Sequence, residues 1–588
     1  MIRAIDKDVL MQEIATQVAE SRDERYQFTW PDKRQAILAA NAPLSKTLRP
    51  AREESVNFDD TENLYIEGDN LDVLKLLQET YLGKIKMIYI DPPYNTGSDF
   101  VYRDDFKQSA EEYIEGSGQY DEEGNRLEKN METNGRFHTD WLNMIYPRLK
   151  LARNLLSDDG VIFISIDDNE QANLKKVCDE IFGEGNFVEN IVWEKKFSPQ
   201  NDARWFSHNH DHILLYGKDK EKFIINQLPR TEKQNKRYKN PDNDPRGPWA
   251  SSDLSVKTYS EEYDYEIKRP NGESVLLPPG RCWMTNKKRM AELIEDGRIW
   301  FGADGNNFPR LKRYLSEVKN GITPISIWYR NEVGDTQSAK KELLNIMPEN
   351  LFQTPKSVKL IKKMIYLASK DDSIILDFFS GSATTAHAVM DLNAEDGGNR
   401  KYILVQLPEE TDEKSEAYKT GYKSICDIGK ERIRRAGQKI LEEHKDKDNV
   451  EDLDIGFRVL KVDSSNMKDV YYEPDMTEQG FLDSLENNIK EDRSPEDLLF
   501  QVMLDLGIPL SADIQVETVG GKDVFIVEGG FFIACFDTHV GDEVVKAIAE
   551  KKPYYAVFRD ASMASDSVAT NFDQIFESIS PETVRKVL

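Results

Sequence analysis

Cysteine is scarce in this chain, and what there is does not pair. Cys178, Cys282, Cys426 and Cys535 are scattered through 588 residues with no C-x-x-C spacing. That leaves neither a disulfide framework nor a zinc ribbon, and it fits a reducing, cytoplasmic setting. Long apolar runs are also missing. No stretch of 18 or more residues is continuously apolar, and Met1-Ile2-Arg3-Ala4-Ile5-Asp6 lacks the hydrophobic core of an export signal, so no membrane span is expected. Positive charge is in short supply overall, with 78 Lys and Arg against 106 Asp and Glu, a formal charge of −28. Its distribution says more than its sum. Residues 231–345 carry 20 basic against 17 acidic side chains, whereas 446–588 carry 13 against 30. A polyanion would find the middle of the chain and avoid its C-terminal part. The length allows two to four domains.

What the chain does have is organised around Asp91-Pro92-Pro93-Tyr94, followed by Asn95-Thr96-Gly97. Lys86-Met87-Ile88-Tyr89-Ile90 before it reads as a buried strand. Two prolines end that strand and stiffen its exit, since neither donates a ladder hydrogen bond. A carboxylate, rigid carbonyls and an aromatic ring are thus offered at a strand's carboxyl end, where open α/β sheets bind ligands. A plain strand and polar turn would read the same way. The chemistry this group suits is attack by an exocyclic amine of a base. Two acceptors, Asp91 and the carbonyl of Pro92, would hold both amino hydrogens and aim the lone pair at an electrophile. Tyr94 would stack on a base taken out of the helix.

These residues resemble motif IV of amino-methylating DNA methyltransferases. Asp in first place is typical of adenine-N6 enzymes, while cytosine-N4 enzymes more often carry Ser. Leu64-Tyr65-Ile66-Glu67-Gly68-Asp69-Asn70-Leu71 reads as a strand, a glycine turn and a helix capped by Asp69 or Asn70. In the resembling family such a G-D-x-L element supplies the carboxylate on the cofactor's adenine, which the resemblance assigns to Asp69 with Asn70 beside it. Ser373-Ile374-Ile375-Leu376-Asp377-Phe378-Phe379-Ser380-Gly381-Ser382-Ala383-Thr384 is a strand, a glycine turn and a helix start. It resembles motif I of S-adenosylmethionine methyltransferases, and Thr354-Pro355-Lys356 resembles motif X. The resemblance implies that Asp91, Thr354, Pro355, Lys356, Asp377, Phe378, Phe379, Ser380, Gly381, Ser382 and Thr384 bind S-adenosylmethionine. After Tyr402-Ile403-Leu404-Val405 the family often has a ribose-binding Glu; here that place holds Gln406, with Glu409 as a substitute.

The order of parts resembles the β-type arrangement, and the modification subunit of type III restriction systems is the best fit. That likeness extends over Phe28-Thr29-Trp30-Pro31, Asn63 to Gly97, Val405 to Glu409 and Phe457 to Asn466.

Other stretches stay open. Lys46, Arg49 and Arg52 in the N-terminal 60 residues read as an arm packed on the main domain, or as a DNA-backbone or dimer contact. Gly116, Gly118 and Gly124, among acidic residues before Gly135, suggest a mobile loop that is either a lid or a surface excursion. Asp167-Asp168-Asn169-Glu170 is expected to cap the helix that follows. His208, His210 and His212 alternate as metal ligands do on a strand, but no fourth ligand is near in sequence, and a polar strand entrance is the more economical reading. Between 231 and 345, aromatics interleave with cations. Trp249, Arg281, Trp283, Lys287, Lys288, Arg289, Arg310, Lys312 and Arg313 are the candidates for DNA contact.

The expected fold is α/β: a Rossmann-like, S-adenosylmethionine-dependent methyltransferase sheet with an inserted target-recognition domain and a C-terminal α+β module. Boundaries are expected at 1–60 (arm), 61–230 (half with D-P-P-Y), 231–345 (target recognition), 346–445 (cofactor half) and 446–588 (partner interaction). The expected activity is transfer of a methyl group from S-adenosylmethionine to adenine N6 in double-stranded DNA. The adenine would be flipped onto Asp91, Pro92, Pro93 and Tyr94, and no metal is required for the transfer. The resemblance implies a second copy of the chain and a restriction subunit as partners. Cytosine-N4 or RNA methylation on the same fold, or a silent DNA-recognition subunit, are the rivals.

Overall fold

A computed structural model of the chain describes residues 27–97, 100–102, 127–129, 136–199, 203–318, 321–349, 351–352, 354–447, 450, 452–468, 488–559, 562 and 566–588. They form two compact units. One joins Met1–Asn226 to Ser326–Leu588; the other is Gln227–Ile325.

The first unit is built on ten strands: β1 (Lys46–Pro50), β2 (Leu64–Glu67), β3 (Ile85–Ile90), β4 (Leu156–Ile166), β5 (Phe187–Glu194), β6 (His210–Gly217), β7 (Ile327–Trp328), β8 (Ile374–Asp377), β9 (Lys401–Gln406) and β10 (Arg458–Ser464). Their order across the sheet is β1-β10-β2-β9-β8-β3-β4-β6-β5-β7. The six strands from β10 to β4 run parallel, and β6 lies antiparallel between β4 and β5. Strands covered on both faces read as unbroken apolar runs, which is why Val161–Ile164 and Tyr402–Val405 are buried throughout. Eight helices matter here: α1 (Lys33–Asn41), α2 (Asn70–Tyr81), α3 (Phe137–Leu155), α4 (Gln171–Cys178), α5 (Val358–Ala368), α6 (Thr384–Asp396), α7 (Ile425–Glu443) and α8 (Pro495–Asp505). From β8 the chain continues through α6 to β9 on one side; from β3 it continues through α3 to β4 on the other. That reversal between β8 and β3 opens a crevice at their carboxyl ends.

Gly68 turns β2 into α2 with φ +158, and a β-carbon there would come within 2.3 Å of Val462 Cγ2. Only glycine leaves room for β10 to lie alongside. Gly68→Ala is expected to cost about 1–3 kcal/mol by overpacking, read as a lower urea midpoint; a loss below about 0.5 kcal/mol would contradict this packing.

The basic residues of the arm are consumed inside the molecule. Lys46 pairs with Asp72, Arg49 with Asp463 and Asp497, and Arg52 with Asp59 and Glu496. Trp30 donates to Asn143 of α3 at 2.7 Å. The packed-arm reading therefore describes 27–60 better than a DNA contact. Glu54 and Glu67 meet Lys430 of α7, and Lys461 joins from β10, so four separate segments share one charge cluster.

The C-terminal region forms a five-stranded sheet, β11 (Ile514–Val519), β12 (Lys522–Val527), β13 (Phe532–Cys535), β14 (Tyr555–Phe558) and β15 (Val584–Val587), in sequential order. Its inner face shares a core with the large sheet: Leu77 and Tyr81 of α2 belong to the same apolar cluster as Leu498, Phe500, Phe525 and Phe532. Residues 326–345, read with the inserted block, belong to the first unit, where β7 pairs with β5 and Trp193 donates to the Gly334 carbonyl at 3.0 Å.

The second unit has a small sheet of Trp249–Ser252, Arg310–Tyr314 and Ile299–Trp300, together with two-stranded pairs. Its core is Leu254, Ile267, Val275, Trp283, Met290, Ile299 and Phe301. No described helix is long and apolar enough to cross a membrane.

Candidate active site

Five strand ends converge at one edge of the sheet. Gly68 follows β2, Asp91 follows β3, Asp167 follows β4, Phe378 follows β8 and Leu407 follows β9. Asp91 leaves β3 inside the β8/β3 crevice. One of its oxygens pairs with the Lys356 ammonium; the other, Oδ1, is buried and has no hydrogen-bond partner. The same ammonium lies 5.0 Å from the centre of the Tyr94 ring. The Tyr94 hydroxyl is buried without a hydrogen-bond partner, and burial beside the Asp91 charge pushes it well above the usual tyrosine range. It stays a neutral ring, available for stacking and not for proton transfer at neutral pH.

The loop is held from both sides. Trp141 of α3, fully buried, donates its indole N–H to the Pro93 carbonyl at 2.7 Å. Asn95 adopts a left-handed φ of +59, and its amide donates to Glu170 at 2.6 Å and to the Phe137 carbonyl at 3.2 Å. Glu170 has no exposed surface and also meets His138 at 2.6 Å and Asn173 at 2.8 Å. The expectation that this residue caps α4 is thus corrected. Its side chain makes no cap bond and turns inward, because the left-handed turn at Asn95 points an amide at it.

Asp69 does cap α2, accepting from Leu71 N at 2.8 Å, and Arg148 reaches it at 3.3 Å. Arg148, fully buried in α3, also donates to Asn70, whose own amide donates to the Phe378 carbonyl at 2.7 Å. Asn70 is therefore a brace between α2, α3 and the loop after β8. In that loop Gly381 has φ +50 and donates its N–H to the Gln406 side chain at 2.7 Å. Gln406 thereby shapes the loop from the place where a ribose acid was expected. Glu409, two residues past β9's exit at Leu407, is half-buried, and burial raises its carboxyl above the usual range.

Other motif residues face inward. Asp377 accepts from Thr385 at 2.5 Å and from Phe379 N at 3.1 Å. The hydroxyls of Ser382 and Thr384 are both held by buried Arg432 of α7, at 2.8 and 2.7 Å. Phe378 and Phe379 are buried ring neighbours with centroids 5.4 Å apart. Ser380 offers a buried hydroxyl with no hydrogen-bond partner. Pro355 is buried and Thr354 exposed.

Burial lifts the Asp377 carboxyl from 3.8 to about 7. The folded chain therefore keeps a proton that the unfolded chain gives up above pH 4. Stability contributed at this residue falls as pH rises from about 4 to about 7 and then levels off, by at most about 4 kcal/mol. Unfolding free energies of wild type and Asp377→Asn, measured across that window, should diverge in favour of the variant; a constant difference would contradict the assignment.

The histidines also find a neighbour that sequence distance had hidden. Asp168 meets His212 Nε2 at 3.0 Å and His208 Nδ1 at 3.3 Å, and donor atoms of Asp168, His210 and His212 all lie within 4.8 Å of one another. His212 Nδ1 is 3.2 Å from the Asn190 side chain.

The DNA-contact candidates divide by exposure. Trp249 and Trp283 are buried, with Trp283 in the second unit's core. Lys312 is caged by Asp242, Asp244, Trp249 and Trp300. These three build the unit and offer no surface to a ligand. Arg281 is half-buried, 3.4 Å from the Ser255 carbonyl. Lys287, Lys288, Arg289, Arg310 and Arg313 are exposed.

With that geometry in place, comparison with known proteins is informative. Residues 85–438 match the N6_N4_Mtase family model, described as DNA methylase. The StyLTI Mod subunit of a type III restriction-modification enzyme from Salmonella typhimurium is 42% identical over 65% of this chain and 58% of its own length. The EcoPI Mod subunit from Escherichia phage P1 is 35% identical over 82% of this chain and 78% of its own. The EcoP15I Mod subunit from Escherichia coli is 32% identical over 93% and 87%. Among solved structures, the cytosine-N4-specific PvuII DNA methyltransferase matches 65% of this chain and 96% of its own, at 13% identity and a TM-score of 0.30. The family match takes in the crevice, D-P-P-Y and the glycine loop alike, and the chain belongs to the DNA methylases of the type III restriction-modification Mod subunit family.

Proposed function

We propose that the chain methylates the N6 amine of an adenine flipped out of double-stranded DNA, as the modification subunit of a type III restriction-modification system. The observation that carries this reading is the Asp91 carboxylate in the crevice, with a buried, unpartnered oxygen beside the Tyr94 ring. Such an oxygen costs free energy until a donor reaches it, and an exocyclic amine brings two. One amino hydrogen goes to Asp91 and the other to the Pro92 carbonyl. The neighbouring Pro93 carbonyl is already taken by Trp141, which fixes the backbone on which Pro92 depends. Holding both hydrogens draws nitrogen toward tetrahedral geometry and exposes its lone pair. The Lys356 ammonium holds the other Asp91 oxygen and lies over the ring that the base would cover, so it is displaced as the base enters. The proton shed by the methylated nitrogen is within reach of Asp91.

S-adenosylmethionine supplies the electrophilic methyl group. The residues around the crevice fit it. Gly381 presents backbone at a positive φ, where an added β-carbon would meet only Phe352 at 3.6 Å, and the half-buried Glu409 carboxylate offers an acceptor at the edge. Asp69 remains the carboxylate assigned to the cofactor's adenine. Lys287, Lys288 and Arg289 fill the first turn of the helix Lys287–Glu295. Cations there oppose the helix dipole, a cost that phosphate contact would offset, and Arg310 and Arg313 extend the exposed set. A restriction subunit, as the relatives' names suggest, and a second copy of the chain complete the assembly. The stacked, exposed Phe531 and Tyr554 of the C-terminal sheet, 5.2 Å apart, give a protein partner a surface.

The test is methyl transfer from labelled S-adenosylmethionine to DNA free of adenine methylation, followed by nucleoside analysis. Label in N6-methyladenine supports the reading. Label in N4-methylcytosine would move it to the rival base, and no label from a folded, cofactor-binding chain would overturn it.

A further inference from the structure

The segment between β5 and β6 carries three large aromatics that stand largely exposed among the described residues. Phe197, Trp205 and Phe206 are 66%, 80% and 86% exposed. Single exposed apolar residues are ordinary on a protein surface, but three within ten positions on one connection are not. The base of the connection is fixed. Lys195 N donates to the Asn209 carbonyl at 2.9 Å, the Asn209 amide donates back to the Lys196 carbonyl at 3.2 Å, and Ser207 holds the Asn209 side chain at 2.5 Å. Lys195 is further tied to buried Asp211. These contacts fix the two ends of the connection, and Phe197, Trp205 and Phe206 stay exposed between them. Arg204 lies 5.0 Å from the Trp205 ring centre and Arg330 3.9 Å from that of Phe197, so cations share the patch.

Its location identifies its partner. β5 runs parallel to β3 and β4, and β6 runs against them. The end of β5 and the start of β6 therefore lie at the same sheet edge as Asp91. Three strand spacings separate β3 from β5, roughly 14 Å, with Ile166 at the end of β4 beside His212 of β6 in between. Residues 195–209 hold three Lys or Arg against one Asp, in a chain of net charge −28. A basic, aromatic projection next to the crevice matches a polyanion with stacking surfaces, and the substrate must lie against this edge.

We propose that Trp205, supported by Phe206, enters the duplex at the target step and stacks in the space the departing adenine leaves. This deepens the base-flipping reading above and rests on it. Aromatic stacking on a base compensates part of the unstacking that extrusion requires. The two residues would be positioning residues for the target and would not touch the reacting atoms.

The experiment uses the full chain and the Trp205→Ala/Phe206→Ala double variant. Single-turnover methylation is compared on two duplexes of equal length, one with the target adenine paired to thymine and one with it mispaired to cytosine. S-adenosylmethionine binding serves as the control for folding. A mispaired adenine is already easy to extrude. The expected result is a 10–100-fold slower rate for the variant on the paired target, less than threefold on the mispaired one, and unchanged cofactor binding. An equal loss on both duplexes would reduce the patch to general DNA affinity and overturn the proposal, as would no loss on either. Wild type failing to methylate adenine in either duplex would instead overturn the adenine reading on which the proposal stands.

Discussion

Asp91→Asn is expected to lower the rate of methyl transfer by about 10³-fold while leaving S-adenosylmethionine affinity within a few-fold of wild type. The carboxylate is asked to hold one amino hydrogen and to stabilise positive charge as it grows on nitrogen. Removing one preorganised partner of a developing charge costs about 10²–10³ in rate. Asparagine keeps the shape and one acceptor oxygen but loses the charge. It also loses the Lys356 ion pair that crosses from the segment before α5 to the end of β3. The effect should therefore fall on kcat and not on cofactor binding, because Gly381, Gln406 and Asn70 shape the cofactor loop independently of Asp91. Equal loss of cofactor affinity and rate would mean that Asp91 organises the crevice and does not act on the amine.

The second large effect is expected at Glu170, which no substrate touches. Its carboxylate is wholly buried and holds Asn95, His138 and Asn173 together. Glu170→Ala removes the shorter of two contacts of the Asn95 amide, leaving the Phe137 carbonyl at 3.2 Å, and loosens the anchor of a left-handed residue directly after Tyr94. A displacement of about 1 Å at reacting groups can cost about 10²-fold. A loss of 10–100-fold in kcat is expected, with a stability loss of about 1–3 kcal/mol from the buried hydrogen bonds that Glu170 no longer makes. Glu170→Gln, which can still accept from Asn95, should recover most of both. If Glu170→Ala lost stability but kept its rate, the contact would be structural only.

The strand and turn that carry the proposed catalytic residues were legible in the sequence because their pattern is local. Asp91, two prolines and Tyr94 are contiguous, and the short β-branched apolar run before them, ended by prolines, reads as a buried strand. The glycine turn before α6 and the cap at Asp69 were readable for the same reason, and the α/β sheet followed from such runs recurring between helices. What was not readable depends on chain segments that meet only in space. Lys356 lies 265 positions from Asp91, and Arg148 joins Asp69 and Asn70 from a different helix. Arg432 takes the hydroxyls of Ser382 and Thr384, which look like ligands when only the loop is considered. The Asp167–Glu170 stretch reads as a cap because acids at a helix start usually are, and nothing in the sequence shows that Glu170 turns instead to Asn95. Trp283 and Lys312 matched a nucleic-acid pattern of aromatics among cations, but composition does not distinguish a core tryptophan from an exposed one. Asp168 and the histidines are some 40 positions apart, brought together only by the antiparallel register of β4 and β6.

The most direct test of the account is a structure of the chain with S-adenosylhomocysteine and a duplex containing its target. The account predicts the adenine outside the helix, its N6 within hydrogen-bond distance of Asp91 and the Pro92 carbonyl, its face on Tyr94, and the Lys356 ammonium displaced from Asp91. An adenine outside the helix with the Lys356–Asp91 pair still closed and N6 directed elsewhere would contradict it.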